Sequence, residues 1–462
     1  MKYLFRQRRV AALVAVVGLA LCSCPVAAQD AVVATAAASG PNPEQGIPIE
    51  GWMVYPSFFV GAVFNDNIYS SPFNRRSAVG VRVRPSLEAN VDNGLHKTTA
   101  YFTADAQLYP GFGAETRFYP TPTTYVAPTN VTGRVGIGHI WTPLSDLSVY
   151  FTADYTRQSG LFGSNFGAGA PSVYIPGAYT VSGAQQYANQ FTGSLAVEKK
   201  FSNWFVRGTT GVQYVSYDSR PSGFSSLVGG VVSNGYAQDG LSYTASLRGG
   251  VWVTPQVYAF VEPGVDLRRY QYSISDTNGY RVVGGLGSDL ISLFRGEVYG
   301  GYQGQSSVSG LIGGSISRPT YGARLFYYPT PFFTLTASVD QTLAAAAAPS
   351  PIAAVLGRAS TGSQNLQVRV QGDYAFSPYW TAFVRGGYGE TRWTNSTRVN
   401  TAWVAGAGVS YTFWRNIAIT LDYQFTHTGA SGGSLFDPLN LFDSSAWGYA
   451  QNVVSAGFTY RY

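Results

Sequence analysis

The chain has 462 residues, of which 12% are charged and 15% aromatic, and it contains 33 Tyr and 54 Gly at a mean hydropathy of 0.00. It is neither the charged surface of a typical soluble protein nor a helical membrane protein, because no stretch beyond the N-terminus approaches the roughly 18–20 apolar residues of a spanning helix. The formal charge of +6 is no argument for nucleic acid, since four of the 30 basic residues, Lys2, Arg6, Arg8 and Arg9, sit in an N-terminal segment expected to be removed.

That segment reads as a signal peptide over residues 1–28. The positive n-region precedes the apolar run Val10–Leu21, and Val26-Ala27-Ala28 supplies a small-residue cleavage pattern. Leu21-Cys22-Ser23-Cys24 offers an alternative, a loose lipoprotein box with Cys24 lipidated. Cleavage after Ala28 removes both cysteines and leaves 26 basic against 24 acidic residues, a net charge near +2. Residues 29–50, rich in Ala, Pro and small polar residues, read as a flexible periplasmic lead-in.

From residue 51 to 462 the chain keeps one character, with strands beginning near Tyr55. Segments alternate apolar with polar or small residues, and in a strand such alternation places two chemistries on two faces. Over 79–91, Val79, Val81, Val83, Leu87 and Val91 share a face, with Arg82, Arg84, Glu88 and Asn90 opposite. Residues 398–413 and 417–426 repeat the pattern, with Trp403, Val409 and Tyr411, then Ile419, Leu421 and Tyr423, on the apolar side. Closed barrels are the second way of satisfying the backbone in a bilayer. Aromatics gather at strand ends (Trp141, Trp204, Trp252, Tyr327 with Tyr328, Tyr379 with Trp380, Phe413 with Trp414), where interfacial girdles belong. Short turns such as Asp92-Asn93-Gly94, Thr254-Pro255 and Trp414-Arg415 alternate with long loops at 159–185, 219–236, 345–361 and 429–446. The expected fold is all-β, a transmembrane antiparallel up-and-down β-barrel in the cell outer membrane.

Both barrel termini must be periplasmic, so the strand number must be even. A plain count reaches seventeen, and splitting 273–304 into Tyr280–Ser288 and Leu293–Gly304 around a tight turn near Asp289 brings it to eighteen, with sixteen the alternative. The last segment places Val454, Ala456, Phe458, Tyr460 and Tyr462 on one face. Phe458, Tyr460 and the terminal Tyr462 are similar to the C-terminal signal read by the outer-membrane assembly machinery, which makes that machinery an expected partner beside outer-membrane lipid and lipopolysaccharide.

Four segments resemble the β-barrel porin type 2 outer-membrane proteins: PSFFVGAVFNDNIY (56–69), RPSLEANVDNGLH (84–96), GGLGSDLISLFRGEVYGGYQ (284–303) and RLFYYPTPFFTLT (324–336). The resemblance spans most of the mature chain and marks architecture, not chemistry. It implies an outer-membrane barrel and, because some members accompany exopolysaccharide export, a conduit working with polysaccharide export components.

An eighteen-stranded barrel is wide enough for a water-filled lumen. Ten arginines (Arg82, Arg84, Arg134, Arg207, Arg248, Arg295, Arg324, Arg369, Arg385, Arg398) and ten acids (Glu88, Asp105, Asp154, Glu198, Glu262, Asp266, Glu297, Asp340, Asp373, Asp422) read as inward. Equal numbers predict pairing along the wall; the sharper alternative is a transverse field at a constriction, with Arg82, Arg84, Arg207, Arg295, Glu297 and Arg385 as candidates. Most aromatics alternate outward, but Tyr258, Phe260 and Tyr299 fall inward and are candidate glycan contacts. His96, His139 and His427 are the only histidines, and no nucleophile–base pair, metal-ligand spacing or dinucleotide fingerprint is present, so neither enzyme activity nor a cofactor is expected. Two functions remain: a porin-like channel for hydrophilic solutes, or a non-conducting structural or adhesion barrel whose long loops fill the lumen.

Overall fold

The computed structural model describes residues 46–69, 75–113, 115–118, 122–125, 129–159, 187–217, 239–270, 276–291, 293–308, 315–345, 362–393, 399–431 and 448–462. The signal peptide with its Cys24 alternative, most of the lead-in, nearly all of the four long loops and Arg398 lie outside the described residues.

Eighteen antiparallel strands form one closed barrel. They are β1 (Trp52–Asn65), β2 (Ala78–Asp92), β3 (His96–Leu108), β4 (Asn130–Leu144), β5 (Leu147–Ser159) and β6 (Tyr187–Lys200). Next come β7 (Trp204–Tyr217), β8 (Gly240–Thr254), β9 (Val257–Tyr270), β10 (Thr277–Ile291), β11 (Phe294–Ser307) and β12 (Ser315–Thr330). The ring is completed by β13 (Phe333–Ala345), β14 (Gly362–Ala375), β15 (Trp380–Trp393), β16 (Val399–Trp414), β17 (Ile417–Ser431) and β18 (Tyr449–Arg461). Each strand pairs with the next, and β18 closes on β1 from Ser57↔Arg461 to Asn65↔Val453. The even count holds because β10 and β11 form the hairpin that the sequence hides, turning between Ile291 and Phe294 rather than at Asp289.

Strand parity sorts the side chains. Val79, Leu247, Val251, Val384 and Phe458 are among the exposed apolar residues of the outer face, while Arg207, Arg248, Gln303 and Thr426 on the other parity are buried. Apolar side chains exposed over the whole outer surface of a closed barrel are what lipid contact requires.

Turns at one end are short and locally determined. At 93–95, Asp92 Oδ1 accepts from Gly94 N (3.0 Å) and Asn93 Oδ1 from His96 N (2.7 Å), with Gly94 at φ 84°. At 376–379, Ser377 Oγ accepts from Tyr379 N and Trp380 N. Asp146 lies in the turn between β4 and β5, and the Lys199 ammonium of β6, 2.5 Å from its carboxylate, holds it below the usual carboxylate range.

Three details depart from the sequence reading. First, Ile47–Ile49, within the segment read as lead-in, is a short strand that folds back on β1 (Ile47↔Val54 to Ile49↔Trp52) through a turn with positive φ at Glu50 and Gly51. Since β18 ends opposite Ser57, the lower edge of β1 would otherwise offer unpaired backbone groups, and the folded-back segment covers it. Second, Trp252 is not a girdle residue. It shares parity with Arg248 and Gly250 and packs inward against Phe205 (6.1 Å) and Tyr258 (5.1 Å), while the same alternation leaves Val251 and Val253 on the outside. Third, a separate hairpin, Glu115–Phe118 with Pro122–Tyr125, stands between β3 and β4.

At the opposite end a turn of three polar residues pins the first strand to the last. Asp66 accepts from both Asn452 N (2.7 Å) and Nδ2 (2.6 Å). Asn67, fully buried, donates to Ala450 O, and Gln451 Nε2 bonds both Asn67 O and Asn65 Oδ1. Beside it Val63, Ile68, Tyr69, Ala78 and Tyr109 form a buried apolar cluster.

Candidate functional site: the lumen wall

The inner face is built from charged and aromatic side chains that lie along the wall instead of pointing into the bore. Tyr258 on β9 shows how. The neighbouring position on β10 is Gly287, and a Cβ there would overlap the Tyr258 ring, which therefore lies flat across β10. Its hydroxyl reaches β11 and donates to Glu297 at 3.2 Å. Tyr299 on β11 repeats the arrangement over Gly322 of β12, and its hydroxyl donates to Asp340 on β13 at 2.7 Å. Each brace spans three strands and depends on a glycine in the middle one. Arg385 on β15 does the same across Gly406 of β16 to reach Asp422 (3.2 Å) and Gln424 (3.1 Å) on β17.

Arginines cover the rings. Arg248 stacks on Phe260 (4.0 Å), Arg281 on Tyr299 (5.0 Å), Arg134 on Tyr101 (4.7 Å), Arg207 on Tyr150 (5.1 Å) and Arg385 on Phe383 (5.1 Å). A guanidinium suits this position because its planar face can stack while its edge still donates. Arg248 illustrates both: it sits on Phe260, donates to Glu262 at 2.5 Å, and reaches Glu297 at 2.8 Å. Arg134 donates to Asp154 at 2.7 Å.

The candidate constriction residues separate into two groups. Arg82, Arg84 and Arg385 come together near the closing seam. Arg82 bonds Asp105 through two nitrogens (2.9 and 2.5 Å) and crosses β1 to donate to Ser455 of β18. Arg84 lies 3.4 Å from the same Asp105, and the charges of Asp422 and Arg385 reach this pair. Arg207, Arg295 and Glu297 sit lower, close to the short turns: Arg207 is the fourth residue of β7, and Arg295 the second of β11. Arg207 and Arg248 are directly opposite in register, and each is balanced on its far side, Arg207 by Glu198 (4.0 Å) and Arg248 by Glu262 and Glu297. Each of these ion pairs joins strands no more than three apart, so none bridges the bore.

Tyr258, Phe260 and Tyr299 face inward as parity requires. Phe260 is only 3% exposed beneath Arg248, which closes its ring to a solute, and Tyr258 and Tyr299 act as braces. Arg281 was missed by alternation because Val282-Val283 puts apolar residues on both faces beside it. The glycine-cradled braces were also missed, since their partners lie on three different strands. His139 lies on the outer face, bonded to Thr98 (2.8 Å) and to His96 (3.3 Å), whose ring is parallel to Trp141. No group of three or more potential metal ligands occurs among the described residues.

Removing the Tyr299 hydroxyl tests the brace. Y299F is expected to lower stability by about 1.5–3 kcal/mol, the range for a hydrogen bond to a charged group. Urea unfolding of Y299F, D340N and the double variant in lipid vesicles should show the two changes to be strongly non-additive; additive losses would mean the bond contributes nothing.

The family described as "Putative beta-barrel porin 2" matches residues 41–136 and 153–437 of this chain. No curated protein is similar to it in sequence. Solved structures include the FrpB iron transporter from Neisseria meningitidis, 10% identical, covering 90% of this chain and 83% of that one at a TM-score of 0.39. Two receptors from Pseudomonas aeruginosa are each 8% identical and cover 88% of this chain and 80% of theirs. These are the siderophore receptor PirA, at a TM-score of 0.37, and the ferric enterobactin receptor PfeA, at 0.42.

Proposed function

The chain belongs to the family described as beta-barrel porin 2, and from that premise we propose that it forms an aqueous channel for hydrophilic solutes across the outer membrane. One observation carries the reading: the charged side chains of the inner wall make their ion pairs sideways along the wall, and Arg84 remains 40% exposed toward the interior. A lumen filled by its own side chains would need pairs across the bore and would bury such a group. The N-terminal 28 residues act as the export signal, and Phe458, Tyr460 and Tyr462 engage the assembly machinery. Exopolysaccharide, moved together with polysaccharide export components, is the finer reading of the cargo.

Reconstitution in planar bilayers is expected to give open steps on the order of a nanosiemens, the scale of a water-filled barrel, with sized neutral sugars blocking them according to diameter. A correctly folded but silent barrel would sink the channel reading in favour of a loop-filled structural or adhesion barrel. Unchanged secreted polysaccharide in a deletion strain would remove the finer reading alone. Replacing Phe458 and Tyr460 by alanine and deleting Tyr462 is expected to lower the outer-membrane level by about tenfold, given that unassembled barrel strands expose aggregation-prone edges. Quantitative blotting of membrane fractions measures it.

A further inference from the structure

The equal tally of acidic and basic residues conceals an unequal placement. Near the seam, three guanidiniums (Arg82, Arg84 and Arg385) share two carboxylates. Asp105 gives both of its oxygens to Arg82, and Asp422 accepts from Arg385. Arg84 is left with a 3.4 Å contact to a carboxylate that is already engaged, stands on the Phe59 ring at 5.6 Å, and is the most exposed guanidinium of the three, at 40% against 13% and 11%.

On the other side of the ring is a second such group. Arg281 on β10 is held over Tyr299, and no carboxylate among the described residues pairs with it. Its Nε is buried without a hydrogen-bond partner. The acids flanking its direct partner on β9, Glu262 and Asp266, are engaged by Arg248 and Arg268, and Asp340, beyond Tyr299 on β13, is engaged by the Tyr299 hydroxyl.

Position makes the two a pair. Arg84 is the seventh of fifteen residues of β2, and Arg281 the fifth of fifteen of β10, so both lie near the middle of strands that run in the same direction. β2 and β10 are eight steps apart around a ring of eighteen, which puts them on nearly opposite walls. Rings of fixed arginines are a known means of selecting anions, because field lines concentrate in a wet bore with low-dielectric walls. The planar fork also matches a carboxylate in a bidentate way that an ammonium does not.

We infer that Arg84 and Arg281 form a two-sided anion filter at mid-height, admitting solutes that carry carboxylate groups, such as acidic saccharides, in preference to neutral or cationic ones. The inference rests on the channel reading and specifies its cargo. The lumen therefore selects by two arginines on facing walls and not by a segregated transverse field, since Arg82, Arg134, Arg207, Arg248 and Arg385 each have an acid close beside them.

The test is the reversal potential of the full-length barrel in a potassium chloride gradient, for the wild type, R84Q/R281Q and R84E/R281E. Wild type is expected to prefer chloride by roughly two- to fivefold, the glutamines to remove the preference, and the glutamates to invert it. Lys199→Glu, an equal charge change on the outer face by a turn, should leave the preference as it is. Oligogalacturonate should block the wild-type pore at lower concentration than a neutral maltodextrin of equal length, and this difference should vanish in R84Q/R281Q. Open pores with no anion preference, or with one that survives R84Q/R281Q, overturn the filter while leaving the channel standing. A silent barrel overturns the channel. In that case direct titration of the detergent-solubilised barrel with oligogalacturonate decides the site: binding lost in R84Q/R281Q supports it, and no binding, or binding unaffected by the change, overturns it.

Discussion

A valine at Gly61 or Gly457 is expected to prevent the barrel from closing. The two glycines are direct partners across the β1–β18 seam, where the backbones approach more closely than a side chain allows. A Cβ on Gly61 would overlap the Ala456 carbonyl oxygen and come within 2.7 Å of Gly457 Cα; one on Gly457 would meet the Val60 carbonyl oxygen and lie 2.5 Å from Gly61 Cα. The obstructing atoms are backbone, so no rotamer change relieves the overlap. Overpacking of this kind costs about 3 kcal/mol or more when the main chain must move, and here it would displace the ladder that shuts the ring. The readout is heat modifiability: folded barrels migrate faster on a gel unless boiled, and G61V should run as the unfolded form at all temperatures. Gly386→Val, where a Cβ meets nothing within 4 Å, is the control and should keep the fast-migrating band. Equal behaviour of G61V and G386V would show that the seam tolerates separation.

The second large effect is expected at the Arg385–Asp422 pair. Both side chains are mostly withdrawn from water, 11% and 12% exposed, and Gly406 holds the guanidinium against the wall. Removing one partner leaves a charge in a poorly hydrated place, which typically costs about 3–5 kcal/mol. D422A should therefore destabilise strongly, even though Gln424 still accepts from Arg385. Removing both charges, in R385Q/D422N, should cost less than D422A alone, because nothing charged remains unpaired. Urea midpoints in lipid vesicles provide the comparison. A double variant less stable than D422A would mean that the pair itself, rather than the penalty of breaking it, supports the wall.

The architecture was legible because strand alternation and turn length are local signals. Val79 to Val91 shows its two faces without help from any other strand, and Asp92-Asn93-Gly94 carries its own turn chemistry in its side chains. The even-count requirement then exposed the β10–β11 hairpin. What escaped were features that depend on a second or third strand. Trp252 counts as a girdle residue, from its place at a strand end, only until Phe205 and Tyr258 of the two neighbouring strands are seen packed against it. Ile47–Ile49 is too short to register as a strand until the edge it covers is known. Tyr299 reads as an available ring until Gly322 is seen beside it on β12, with Asp340 beyond on β13. Charge tallies suffer the same loss: a count of ten against ten cannot show that Arg82 occupies the carboxylate that Arg84 also needs.

The latch at Asn65–Asp66–Asn67 has a kinetic consequence. The glycine-cradled braces of the wall join residues 37 to 41 positions apart, as in Arg385 to Asp422 and Tyr299 to Asp340. The latch joins Asp66 to Asn452 across 386. Loop-closure entropy rises with separation and must be met before the contact returns anything, so contacts of high sequence separation form late. Assembly therefore has two unlike phases: hairpins that zip along the chain, each locked by side chains reaching its near neighbours, and a single ring closure that waits for both ends. Until that closure β1 and β18 are both open edges, and the half-built barrel is a curled sheet whose lifetime is governed by how quickly one polar turn finds the other end of the chain.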